Sequence, residues 1–283
     1  MTAGARLRTA SEAFERGDHP AVVAALQPVL DDPVRWAALG RVNGGAAVGA
    51  AYMGGVSRLV VGDPDGAAAW LGLVAGDEDV PPHVRRALAQ VELARGELDG
   101  ARALLDDGGN ASPIDRALTM VAALRAGDAD DAARRADDLE RNLAAGPDGH
   151  AWDHAGIYAQ LGFVRIELRD GARAARAADA VAQLTEGAPA TLSLAAHARV
   201  IRAGALRLSG DLDGAAAILD GVGASLANGS CDRGLAEREY ARVLRARGVD
   251  APAREAFLVA TRTFQAAGER WLADATTREA DAG

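Results

Sequence analysis

The chain has no lysine; all 31 of its Lys/Arg-type side chains are arginine. That removes a Walker-type phosphate lysine, a Schiff-base lysine and the kinase lysine together. It also suggests a GC-rich bacterial genome. Cys231 is the only cysteine, so no intrachain disulfide forms and a disulfide-stapled secreted fold is excluded. Aromatic residues make up 4%, and the apolar content is mostly alanine, the best helix former. Long apolar runs are missing too. The longest, Gly44 to Val61, is glycine-rich and interrupted by Ser57 and Arg58, too short and too polar for a membrane span. The first residues, MTAGARLRTASEAFERGD, carry no apolar signal core, so a cytoplasmic protein with no membrane partner is expected. Excess positive charge is also lacking. A net charge of −9 argues against direct nucleic-acid binding, which depends on cations neutralising phosphates.

What is present is a repeat. RGDHPAVVAAL, VGDPDGAAAWL, RGELDGARALL, AGDADDAARRA, SGDLDGAAAIL and RGVDAPAREAF all place a glycine before an acidic or polar turn and an alanine-rich run, and RDGARAARAAD is a looser version. The turn glycines are Gly17, Gly62, Gly96, Gly127, Gly171, Gly210 and Gly248, spaced by about two helices and two turns. Five, nine and twelve residues after most of them come apolar side chains, such as Val22, Leu26 and Val29, or Ala215, Leu219 and Val222. Steps of four and three put these on one helical face. After Gly171 the stripe falls out of phase, at Ala174, Ala178 and Val181. Prolines at 33, 81, 82, 113, 147 and 189 stand where each second helix is expected to end, because proline cannot continue a helix interior.

Helix, glycine-acidic turn, helix, proline or glycine break: this pattern resembles tetratricopeptide repeats, best at RGELDGA and SGDLDGA. The resemblance implies an all-α, right-handed superhelix of about seven antiparallel helix pairs with a C-terminal capping helix. It covers nearly the whole chain, so residues 1–283 are expected to form a single array. The final segment resembles the last repeat and cap of helical arrays in bacterial multidomain regulators. One helix pair cannot bury its apolar face alone; stacked neighbours can.

The stretch SGDLDGAAAILD spaces Asp211, Asp213 and Asp220 like a calcium loop. Its siblings keep the glycine and alanine but not the ligand set, so the aspartates are read as serving the next helix start. In GHAWDHAGIY, His150, Asp153 and His154 share a helical face, a partial metal site with His197 as a conceivable addition. The zincin glutamate is lacking and no third ligand can be named, so no metal, cofactor or catalytic residue is assigned. Cys231 sits at an expected helix start, which would lower its pKa. Ser57 lacks the second glycine of a hydrolase elbow.

In the family this chain resembles, first helices line a groove that grips partner peptides. Arg238, Arg242 and Arg245 recur at i, i+4 and i+7 on one such helix, a ridge suited to an acidic segment or a C-terminal carboxylate. The same offsets nominate Tyr52, Arg86, Gln90, Gln160 and Arg165. The competing reading of the ridge is a solvated face paired to Glu237 and Glu239. Small-residue ridges through Gly45, Gly49 and Gly54–Gly55 imply close packing, a broken helix, or a homodimer face. The expected function is a non-catalytic scaffold for a protein or peptide. The alternatives are a sensor module of a bacterial transcriptional regulator, or an enzyme or metal protein using His150, Asp153 and His154.

Overall fold

The structure, a computed structural model, describes residues 2–42, 44–75, 80–105, 111–144, 151–186, 192–223, 226 and 230–282, with the backbone alone at 41–42, 151–153 and 192–193. The described residues form α-helices and connecting turns, with no strand among them. In order these are α1 (Ala3–Glu15), α2 (His19–Leu30), α3 (Pro33–Val42), α4 (Gly44–Val60), α5 (Pro64–Ala75), α6 (Pro82–Arg95), α7 (Leu98–Leu104), α8 (Pro113–Arg125), α9 (Ala129–Ala144), α10 (Ala151–Glu167), α11 (Gly171–Leu184), α12 (Leu192–Ser209), α13 (Leu212–Gly223), α14 (Cys231–Ala246), α15 (Asp250–Ala266) and α16 (Arg270–Asp281). The chain divides into two compact units, residues 1–104 and 105–283. Unit 1 holds the packed pairs α1/α2, α4/α5 and α6/α7; unit 2 holds α8/α9, α10/α11, α12/α13 and α14/α15, with α16 packed on α15. None of the described helices is long and apolar enough to cross a membrane.

The turn is the determinant of each pair. Gly17, Gly62, Gly96, Gly127, Gly210 and Gly248 all adopt left-handed backbone, which a Cβ disfavours. The aspartate that follows caps the second helix. Asp18, Asp63, Asp128 and Asp211 each accept, through Oδ1, the backbone N–H three residues on, at 2.8–3.2 Å. Asp211 is thus a cap, and Asp213 accepts from Arg247 Nη2 at 2.5 Å. No cluster of three or more metal-ligating side chains occurs among the described residues.

The repeat expected to be out of phase is in phase. Its left-handed residue is Arg169, φ 60°, and Gly171 is already the first residue of α11. Asp170 then caps α11 through Arg173 N. Counted from Arg169, Ala174, Ala178 and Val181 fall at the offsets five, nine and twelve used elsewhere, and all three are buried.

Three expected breaks also change meaning. Pro33, Pro82 and Pro113 open α3, α6 and α8 rather than closing the helices before them; at the first helical turn the missing N–H costs no bond. Pro147 and Pro189 lie outside the described residues. Because Pro33 starts a helix, α3 is an additional element between the first two pairs, started by Asp32, whose Oδ1 accepts from Val34 N and Arg35 N. The glycine-rich segment is one unbroken helix, α4. Its glycines serve packing: a Cβ on Gly55 would lie 2.4 Å from Leu71 Cγ, and one on Gly54 2.6 Å from Trp70. That is how α5 approaches α4 closely enough to bury Leu71 fully. At the other end, α16 buries Leu272, Ala273, Ala275, Thr276 and Ala280, while Arg270, Asp274, Arg278 and Asp281 face solvent, the polar outer face a cap requires.

Candidate functional site

The arginine ridge lies on α14, but its side chains face acceptors of the chain itself, carboxylates at Arg238 and Arg242 and a backbone carbonyl at Arg245. Arg238 is 5% exposed. Its Nε donates to Glu279 Oε1 at 2.9 Å, its Nη2 bonds the same oxygen, and its Nη1 lies 3.3 Å from Glu167 Oε1. Arg242 reaches both acids in bidentate fashion. Nη1 and Nη2 meet Glu167 at 2.8 and 2.9 Å, and Nε and Nη2 meet Glu279 at 2.8 Å each. Arg245 donates to the backbone carbonyl of Glu279 at 2.5 Å and lies over the Phe257 ring. Arg207, on α12, donates to Glu239 Oε1 at 2.5 Å. Four guanidinium groups and three carboxylates from α10, α12, α14 and α16 therefore form one network in unit 2.

The electrostatics agree with the geometry. Burial would raise the Glu279 carboxyl, but hydrogen bonds and charge from Arg242 and Arg238 hold it down to about 2. Burial likewise opposes ionisation of Glu167, and the same two arginines still leave it lowered. For Arg242, burial disfavours the cation, yet Glu167, Glu279 and Glu239 raise its pKa well above the ordinary value. A small cavity of about 20 Å³, lined by Phe163, Val200, Leu235 and four of the charged residues, adjoins the network. It is large enough for one water.

The other groove candidates divide between the units. Arg165 is buried and turned to α9, donating to Asp137 Oδ1 at 2.6 Å and Glu140 Oε1 at 3.1 Å. Gln160 is half-buried, and its Oε1 has no hydrogen-bond partner among the described residues. In unit 1 the arrangement is different. Tyr52 on α4 sits between Phe14 of α1, 6.3 Å away, and His83 of α6, 4.8 Å away by ring centroids. All three rings are partly or fully exposed, and Arg86 and Gln90 stand one and two turns beyond His83 on α6, both half-buried. Phe14 also meets the edge of His19. The sequence pattern reached Tyr52, Arg86 and Gln90 but not Phe14 and His83. Rings on three different helices leave no periodic signal.

His150 and the Asp153 side chain lie outside the described residues, and His154 is buried. His197 is engaged elsewhere: Nε2 lies 2.6 Å from Asp232 Oδ1, and the ring meets Phe163 edge-on. The Cys231 thiol is raised, not lowered. Burial dominates, Glu269 and Asp232 add to it, and the helix start does not compensate. Ser57 does contact a histidine, His19 Nδ1 at 3.1 Å, but its hydroxyl is fully buried and no substrate can reach it.

No family model matches the chain, and no curated protein matches it in sequence. Among solved structures, a tetratricopeptide repeat protein from Parabacteroides merdae is similar over 83% of this chain and 93% of its own, at 14% identity and a TM-score of 0.45. Yeast Tom70 is similar over 93% of this chain and 60% of its own, at 11% identity and a TM-score of 0.44.

Proposed function

We propose that the chain is a non-catalytic scaffold whose unit 1 holds a protein or peptide segment on the row Phe14–Tyr52–His83, with Arg86 and Gln90 as polar contacts. The row itself supports this reading. Three first helices each contribute one ring to a shared, solvent-reaching surface. Aromatic rings bind with much contact area and little entropy to lose. Arg85 and Arg86 on the same helix favour a segment carrying acidic side chains. Within this proposal residues 1–283 act as one array in the cytoplasm.

The test compares captures from a native lysate by the wild-type chain and by Tyr52→Ala/Arg86→Glu, with helicity checked by circular dichroism. The double variant should lose the partners that the wild type retains. Recovery of the same partners by both chains would sink the assignment to this face.

A further inference from the structure

We propose that Arg238 and Arg242 form a receptor for a carboxylate of an acidic peptide, and that Glu279 of α16 occupies it as an internal ligand. The inference extends the scaffold reading to unit 2 and does not depend on the ring row of unit 1.

Three observations carry it. The first is the shape of the contact. One carboxylate, that of Glu279, receives both arginines, with Arg242 in fork geometry and Arg238 beside it. This is the arrangement by which guanidinium groups recognise carboxylates from other molecules. The second is charge. With Glu279 in place, three arginines, Arg207, Arg238 and Arg242, face three glutamates; without it, three face two, namely Glu167 and Glu239. A buried excess of cationic charge recruits an anion. The third is access. Arg238 and Glu239 form the floor, at 6% and 5% side-chain exposure, while Glu279 and Glu167 lie on the solvent side at 27% and 26%. A carboxylate arriving from solvent meets the positions of these two acids before the floor, and of the two only Glu279 stands on the terminal helix α16.

The way α16 is held allows exchange. Leu272 is the only long aliphatic side chain it buries, at its beginning, and the buried residues further along are Ala273, Ala275, Thr276 and Ala280. The last turn is tied down by Glu279, through its carboxylate to Arg238 and Arg242 and its carbonyl to Arg245, by the small side chain of Ala280 against Ala241 and Phe257, and by the outlying Arg254–Asp281 pair at 4.0 Å. That turn can lift while Leu272 and Trp271 keep the helix start in place. Side chains of an acidic peptide then compete for the same guanidinium groups, so release of α16 and capture of the peptide are coupled.

The test uses the full-length chain and a fluorescent hexaglutamate peptide. Glu279→Gln keeps the size of the side chain and removes its charge. It should bind the peptide roughly tenfold more tightly than wild type, and Arg242→Gln added to it should abolish the gain. Tyr52→Ala should leave the gain intact, which separates this site from the face in unit 1. Equal affinities of wild type and Glu279→Gln, or a gain that survives Arg242→Gln, would overturn the proposal. A second arm uses the wild-type chain alone, with amide hydrogen exchange followed across α16. Excess peptide should speed exchange in the last turn of α16 and leave α14 protected. Unchanged exchange there would overturn the proposal even if Glu279→Gln did not fold.

Discussion

The indole N–H of Trp271, in the first turn of α16, donates to the backbone carbonyl of Arg125 at the end of α8, 2.9 Å away and 146 positions earlier. The bond joins the first helix of unit 2 to its last. The Arg125 guanidinium lies 5.2 Å from the same ring and 3.5 Å from Glu269. Trp271→Phe keeps a ring and removes the donor. It should cost about 1 kcal/mol, seen as a lower urea midpoint at unchanged slope. An unchanged midpoint would mean that water satisfies the carbonyl equally well.

Two glycines of α4 should respond in opposite directions. A Cβ at Gly55 meets Leu71, while one at Gly49 meets nothing within 4 Å. Gly55→Ala should destabilise by about 1–3 kcal/mol through overpacking, even though alanine is the better helix former. Gly49→Ala should stabilise by up to about 1 kcal/mol. Thermal melts of the two variants decide; shifts of the same sign would contradict the packing of α5 on α4.

Arg169 holds the left-handed position that glycine takes in the sibling turns. Arg169→Gly should therefore stabilise by about 1 kcal/mol, and Gly210→Ala should destabilise by about 1–2 kcal/mol. Chemical denaturation of both variants tests whether one turn geometry governs the repeats.

The Glu279 network sets a pH dependence with a definite sign. The carboxyl titrates near 2 in the folded chain and near 4.5 when free. Its stabilising contribution is therefore complete above 4.5 and is lost as pH falls through about 2. The size is at most about 3–4 kcal/mol, from 1.36 kcal/mol per pKa unit. The stability difference between wild type and Glu279→Gln should be largest at neutral pH and vanish towards pH 2. Glu167, also lowered, acts in the same direction in both chains. A pH-independent difference would show that Glu279 acts through packing and not through charge.

Much of the fold was legible because its determinants are local. A left-handed glycine, a capping aspartate and apolar offsets of five, nine and twelve all lie within one turn and one helix. The in-phase repeat at Arg169 is hidden in the sequence because glycine marks the sibling turns, whereas the backbone requires only a residue willing to adopt φ 60°. The helix α3 escaped because a proline marks an end and a beginning equally well. The candidate site was legible by half. The spacing of Arg238, Arg242 and Arg245 put them correctly on one helix, but their partners Glu279 and Glu167 lie 41 and 75 positions away. Charge complementarity across such separations has no sequence period. The same holds for the Phe14–Tyr52–His83 row.

The capping aspartates and the Arg242 network constrain the length of the protein in different ways. Each cap closes within its own turn, so a helix pair of this kind carries its own instructions and can be duplicated or deleted as a cassette. Arg242 instead binds α14 to α10 and α16 at once. Removing the pair α12/α13 that lies between them would shift α14 by one step and strand buried charge. The stretch from α10 to α16 thus has a fixed number of repeats, set by electrostatics and not by the repeat motif.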